Sequence, residues 1–120
     1  MPQKDNIIMR KAEAYGDRIV RMYQYLTTVR HEHIFSKQIV RSGTSIGANV
    51  AESRNAQGPK DFVSKMSIAL KEADETEYWL RRLCNGGYIT TSQYESMHQD
   101  NEEIVSILTS IIKTMKKRFN

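Results

Sequence analysis

The sequence predicts an all-α protein, an antiparallel up-down four-helix bundle, and three observations carry that expectation. Apolar residues recur at alternating spacings of four and three along four long segments, which is the seam of a bundle helix. The breaks between segments are short, as antiparallel neighbours require. Two prolines and six glycines in 120 residues are too few for a turn-rich β chain or a disordered linker. No internal repeat or low-complexity run divides the chain, so residues 1–120 read as a single domain.

The first helix is expected from about Asn6 to Arg30, with Ile8, Ala12, Tyr15, Ile19, Met22, Leu26 and Val29 as its seam. Asp5 or Asn6 offers an N-cap oxygen. Arg30-His31-Glu32-His33 breaks the pattern and reads as a turn. The second helix is expected over about Ile34 to Ala56, with Phe35, Ile39, Ser42, Ile46, Asn49 and Ser53 on its seam. Gln57-Gly58-Pro59 ends it, and the proline can open the next helix. The third helix is expected from Pro59 to Asn85 on Phe62, Met66, Ala69, Ala73, Thr76, Leu80 and Leu83, stopping at Gly86-Gly87. Thr90 followed by Gln93 forms a capping box for the fourth helix, and Ile89 and Tyr94 are placed as a hydrophobic staple. Its seam runs through Tyr94, Met97, Asn101, Ile104, Leu108, Ile111 and Met115. Lys113, Lys116, Lys117 and Arg118 offset the negative end of its dipole. Val20, Tyr23, Val63, Leu70, Trp79, Val105 and Ile112 lie off these seams. They fit either a wide apolar face or a second face buried by self-association.

Hydrophobic residues make up 39% of the chain and the mean hydropathy is −0.59, values suited to long helices with a narrow core stripe. The chain carries one cysteine, Cys84, which excludes an internal disulfide and a cysteine-based zinc site; it is expected to be a small buried apolar residue. No apolar run approaches the roughly 20 residues needed to cross a bilayer. Nothing in Met1-Pro2-Gln3-Lys4-Asp5-Asn6 resembles a signal peptide. A cytoplasmic protein without a membrane partner is expected.

Formal net charge is +4, with a pI near 9.3. Residues 1–33 carry six Lys/Arg against four Asp/Glu, and residues 34–60 carry four against one. A basic first half is compatible with RNA or DNA. Arg10, Lys11, Arg18, Arg21, Lys37 and Arg41 are the candidate phosphate contacts. The same charges could equally serve as a solvated face or in docking to another protein.

Catalytic and metal-binding patterns are sparse. A di-iron bundle needs Glu-x-x-His on two helices, and only Glu95-Ser96-Met97-His98 offers one. His31 and His33 stand in a turn, where solvent exposure is the expectation. Glu72, Asp74, Glu75 and Glu77 form an acidic cluster, with Arg81 and Arg82 at helical spacing for intrahelical pairs such as Glu77 with Arg81. No glycine loop precedes a helix in a phosphate-cradling pattern. No enzyme activity, metal or cofactor is expected.

The most distinctive stretch is Arg41-Ser42-Gly43-Thr44-Ser45-Ile46-Gly47-Ala48-Asn49-Val50-Ala51-Glu52. Each glycine inside a helix costs about 1 kcal/mol relative to alanine. Gly43, Gly47 and Ala51 recur every four residues, and such a smooth ridge lets another backbone approach. Both glycines are expected to hold a close helix contact, and Asn49 and Glu52 a polar contact that fixes register. The pattern Gln38-x-x-Arg41-Ser42-x-x-Ser45-Ile46-x-Ala48-Asn49-Val50-Ala51-Glu52 resembles the four-helix bundle family of proteins encoded in intervening sequences of 23S ribosomal RNA genes. Asp61-Phe62, Ala69 with Glu72, and Gly87-Tyr88-Ile89 add to the likeness, whereas Ser53 and Lys71 depart from it. The resemblance implies a homo-oligomer, a ring of five subunits, with Arg41, Ser42, Gly43, Ser45, Ile46, Gly47, Asn49, Ala51 and Glu52 as the helix-contact or oligomer motif. It also implies kinship with accessory proteins of diversity-generating retroelements, which bind nucleic acid and a reverse transcriptase.

Overall fold

The structure, a computed structural model, describes residues 3–118, with side chains from Ile7 onward. It contains α1 (Gln3–Thr28), α2 (Phe35–Ser53), α3 (Pro59–Asn85) and α4 (Thr91–Arg118). At 1.5 Å per residue, the 28 residues of α4 span most of the 47 Å long axis, and the other two extents are 22 and 20 Å. Contacts run α1–α2, α2–α3, α3–α4 and α1–α4, the last the least extensive, with none across either diagonal. This is the expected up-down square of helices.

Helix α3 begins and ends where the apolar spacing places it. Its seam is buried from Met66 to Leu83, while Val63 is buried and Phe62 only partly so. The capping box of α4 forms in both directions: Gln93 N–H donates to Thr90 Oγ1 at 3.1 Å, and Thr90 N–H donates to Gln93 Oε1 at 2.8 Å. Ile89 is buried beside it. After α3, Gly87 takes φ 81°, a left-handed value that glycine adopts without a Cβ penalty, and Tyr88 N–H returns to Leu83 O at 2.9 Å.

Three boundaries differ from expectation. Helix α1 starts at Gln3, so Asp5 and Asn6 lie within it; their capping side chains are outside the described residues. It also stops at Thr28: His31 turns left-handed at φ 53°, and Glu32 N–H bonds back to Leu26 O at 2.9 Å. Helix α2 ends at Ser53, because Arg54, Asn55 and Ala56 bond back to Ala51, Glu52 and Ser53 and so tighten the chain into a turn.

Glu32 was not singled out from sequence. It is 5% exposed between two exposed histidines. Its carboxylate accepts from the N–H groups of Ile34, Phe35 and Ser36 at 2.9, 2.9 and 2.7 Å. It therefore satisfies three donors that every helix start leaves unpaired. Burial pushes the Glu32 carboxyl upward, but these hydrogen bonds outweigh it and hold the group below the usual carboxylate range.

Helix α2 presents Ile39, Ser42, Gly43, Ile46, Val50 and Ser53 to the interior. Val50, not Asn49, occupies the fifth seam position; Asn49 is half-buried, and its Nδ2 donates to Ser45 O of its own helix at 2.8 Å. Ser42 Oγ accepts from Thr76 Oγ1 at 2.9 Å, a buried polar tie between α2 and α3. Asn101 Nδ2 likewise reaches Ala73 O at 2.9 Å, joining α4 to α3. Of the off-seam apolar residues, Val63 and Ile112 are buried, Leu70, Trp79 and Val105 pack on the core, and Val20 stays 37% exposed. A wide apolar face accounts for most of them.

The glycine ridge divides. A Cβ at Gly43 would lie 2.8 Å from both Cγ1 and Cγ2 of Ile19, whereas one at Gly47 would meet the Ala12 carbonyl at 3.7 Å. Ala51 is exposed. The tight contact therefore belongs to Gly43 alone. Gly43→Ala should lower the urea midpoint by an amount equivalent to about 1–3 kcal/mol of overpacking, less the helix gain from alanine. Gly47→Ala should raise stability by about 0.4–1 kcal/mol. A rise for both variants would show that Ile19 yields easily, and a fall for both would restore the ridge.

Candidate nucleic-acid interface and helix-contact motif

Helical geometry sorts the motif residues of α2 into two halves. Ser42, Gly43 and Ile46 face the core. Gln38, Arg41, Ser45, Ala48, Asn49 and Glu52 fall within an arc of about 100° on the outward side, where Arg41, Ala48 and Glu52 are exposed and the others half-buried. Glu52 comes only within 3.9 Å of Lys65 Nζ. Small or short side chains at 45, 48 and 49 leave this arc low in profile.

Arg41 is engaged. It pairs with Glu75 and lies 3.4 Å from Glu72 Oε2, both on α3. Glu75 also accepts from Trp79 Nε1 at 3.0 Å, and Trp79 stands 5.9 Å from the Phe35 ring. Glu72 and Glu75 thus pair between helices, which corrects the intrahelical expectation for them. Only Glu77 with Arg81, at 3.1 Å, follows it.

The six candidate phosphate contacts divide into paired and unpaired cations. Lys11 pairs with Glu103. Arg18 reaches Asp100 Oδ2 at 2.5 Å and Ser96 Oγ at 2.9 Å, so both side chains tie α1 to α4. Arg18 and Arg21 also wall a cleft of about 410 Å³ with Met22, Tyr25 and Ser92. Lys37 and Arg41 stand on α2, which does not touch α4. Arg10, Arg21 and Lys37 are exposed and have no carboxylate partner among the described residues. The sequence reading leaves out Arg54, Lys60 and Lys71 and assigns Lys113, Lys116, Lys117 and Arg118 only to the α4 dipole; all seven are exposed and equally free of carboxylates among the described residues. Spacing along a helix cannot reveal which cations a neighbouring helix neutralises.

The residues weighed for chemistry have structural partners. Glu95 is exposed, and His98 Nδ1 lies 2.8 Å from Glu77 Oε1. Among the described residues no three His, Cys, Asp or Glu side chains converge on a metal position. His31 and His33 are exposed, while Cys84 is half-buried where full burial was expected. Glu77 is a hub: Tyr94 Oη donates to it at 2.5 Å and Arg81 Nε at 3.1 Å, besides the His98 contact. Burial raises its carboxyl pKa, but the hydrogen bonds from Tyr94 and His98 prevail and hold it below the usual range.

A carboxyl whose folded pKa is depressed contributes stability that is complete above its unfolded value, about 4.3 for Glu. That contribution is lost as pH falls through the folded pKa. Melting temperatures should therefore drop on acidification below about pH 4.3, and Glu77→Gln should flatten that drop while lowering Tm near neutrality. An equally steep acid limb in the variant would show that Glu77 carries none of the linkage.

The comparisons with known proteins agree with this architecture. The family model described as 23S rRNA-intervening sequence protein matches residues 4–110. A crystal structure from Bacteroides thetaiotaomicron, described as a protein of unknown function from the S23 ribosomal protein family, superposes with a TM-score of 0.91. It is 52% identical, over 92% of this chain and 98% of its own. A search of curated protein sequences finds no match. The chain belongs to the family of 23S rRNA-intervening sequence proteins.

Proposed function

We propose that this protein is a non-enzymatic helical module that assembles with copies of itself and holds RNA or DNA on a basic surface. The observation that carries the nucleic-acid part is the residue of charge left after the cross-helix ion pairs form: cations on several elements have no carboxylate within reach among the described residues. Phosphates are the polyanion such a surplus suits. Self-assembly draws on the outward arc of α2. Its family-pattern residues Arg41, Ala48 and Glu52 are exposed and so contribute little to the core. Ile34 is 73% exposed on the same arc, and Ile68 and Tyr78 are exposed on neighbouring α3. A ring of five subunits is the assembly this reading favours.

A protein-binding scaffold without a nucleic-acid role is the second reading. It is favoured by the engagement of Lys11, Arg18 and Arg41 with carboxylates.

Light scattering should give a mass several times the 13.9 kDa of one chain, and Ala48→Arg should reduce it by placing a long charged side chain on the flat arc. A monomeric wild type would remove the assembly reading. Binding to single- and double-stranded nucleic acid should be detectable at low salt and weaken steeply as salt rises. Absence of binding to both would leave the scaffold reading in place.

A further inference from the structure

We infer that the end of the bundle formed by the α2–α3 turn and the last turns of α4 is a sequence-blind docking surface for the backbone of a nucleic-acid duplex; this rests on the nucleic-acid reading above. From Ile104 to Arg118 the chain contains no Asp or Glu, yet it carries Lys113, Lys116, Lys117 and Arg118. All four are exposed on α4. Met115, in their midst, lines one cleft with Arg54 and Pro59, so the same end also presents exposed Arg54 and Lys60. None of the six has a carboxylate in range among the described residues. On the turn side, Asp61 accepts the Gln57 N–H at 3.1 Å, and Glu52 comes within 3.9 Å of Lys65 Nζ.

The side of α4 leading to this end carries hydroxyls and lysines instead of acids. Ser106, Thr109, Lys113, Thr114 and Lys117 line one shallow groove, and hydroxyls and ammonium groups are the groups that contact phosphate oxygens. Single-strand binders add exposed aromatic rings on which bases stack. Among the described residues, the ring lining this cleft is Phe62, which is partly buried against the core. Backbone contact without stacking is the mode by which proteins hold duplexes irrespective of sequence.

The test uses the full-length protein with a DNA duplex, an RNA duplex of the same sequence, a second duplex of unrelated sequence, and one separated strand. Affinity is measured across a salt series. The wild type should prefer duplexes to the single strand and bind the two DNA sequences alike; comparison of DNA with RNA identifies the physiological duplex. Replacing Lys113, Lys116, Lys117 and Arg118 together by Gln should weaken duplex binding about tenfold or more at low salt. It should also reduce the log–log salt slope by about 0.9 for each phosphate contact removed. Arg54→Gln with Lys60→Gln should weaken binding in the same direction without touching α4. Arg30→Gln, at the opposite end of the bundle where Arg30 Nη1 donates to Tyr88 O at 3.1 Å, should leave it unchanged. If the wild type binds but the α4 and turn variants retain its affinity and slope, the docking surface lies elsewhere and the nucleic-acid reading survives. Preference for the single strand overturns the duplex assignment. Failure of the wild type to bind any of the probes overturns both readings.

Discussion

Ile19 occupies the space that a side chain at position 43 would need. Its two γ carbons lie within 2.8 Å of where that Cβ would stand, and it is fully buried. A β-branched residue has little rotameric freedom to withdraw, so the approach of α1 to α2 depends on residue 43 being glycine. Further along, Gly47 faces the backbone of Ala12 at ordinary contact distance. The two helices thus touch through one bulky residue set against one absent side chain, a local knob-in-hole arrangement. Alanine would be the better helix former at 43 by about 1 kcal/mol, and packing outweighs that preference.

From this contact the rest of the register follows through polar ties. Ser42, next to Gly43, is turned to α3, where it accepts from Thr76 at 2.9 Å. Asn101 bonds Ala73 O three residues before Thr76 and carries the alignment on to α4. Apolar seams slide more easily than hydrogen bonds, which lose their whole desolvation compensation when a buried partner moves. Glu32 adds a further constraint at the α1–α2 turn by taking three N–H groups of the α2 entrance.

The seams of α1 as far as Leu26, of α3 and of α4 were legible because a 3.5-residue period repeats along each, whereas Val29, expected to close the α1 seam, lies past the helix end and is 60% exposed; local chemistry marked the ends of α3 and the start of α4. Helix α2 was harder. Its seam candidates include serines and an asparagine, so the spacing puts Asn49 on the seam where the structure buries Val50 instead. A carboxylate folding back onto Ile34, Phe35 and Ser36 leaves no periodic trace, so Glu32 read as loop. The ridge Gly43-x-x-x-Gly47 was visible as a spacing, yet its energetic asymmetry depends on Ile19 and Ala12, which belong to another helix. Three of the phosphate candidates are engaged by carboxylates that their own helices do not reveal. Lys11, Arg18 and Arg41 look free along their own helices, while their carboxylates lie 31 to 92 positions away in the chain.

That separation explains where the surplus positive charge resides. Carboxylates are concentrated at residues 72–77 and 95–103, in the stretches of α3 and α4 that face Arg41, Lys11 and Arg18. Exposed pairs of this kind contribute only about 0–1 kcal/mol each to stability, but each neutralises the field near it. The cations left unpaired include Arg10, Arg21 and Lys37 in the first half, and a group of six stands at the end of the bundle where α4 runs without acids beside the α2–α3 turn. At physiological ionic strength a charge is felt over only about 8 Å, so the paired middle of the molecule cannot cancel the potential there. Cross-helix pairing, which adds little to the fold energetically, thus decides which cations stay unpaired on the surface.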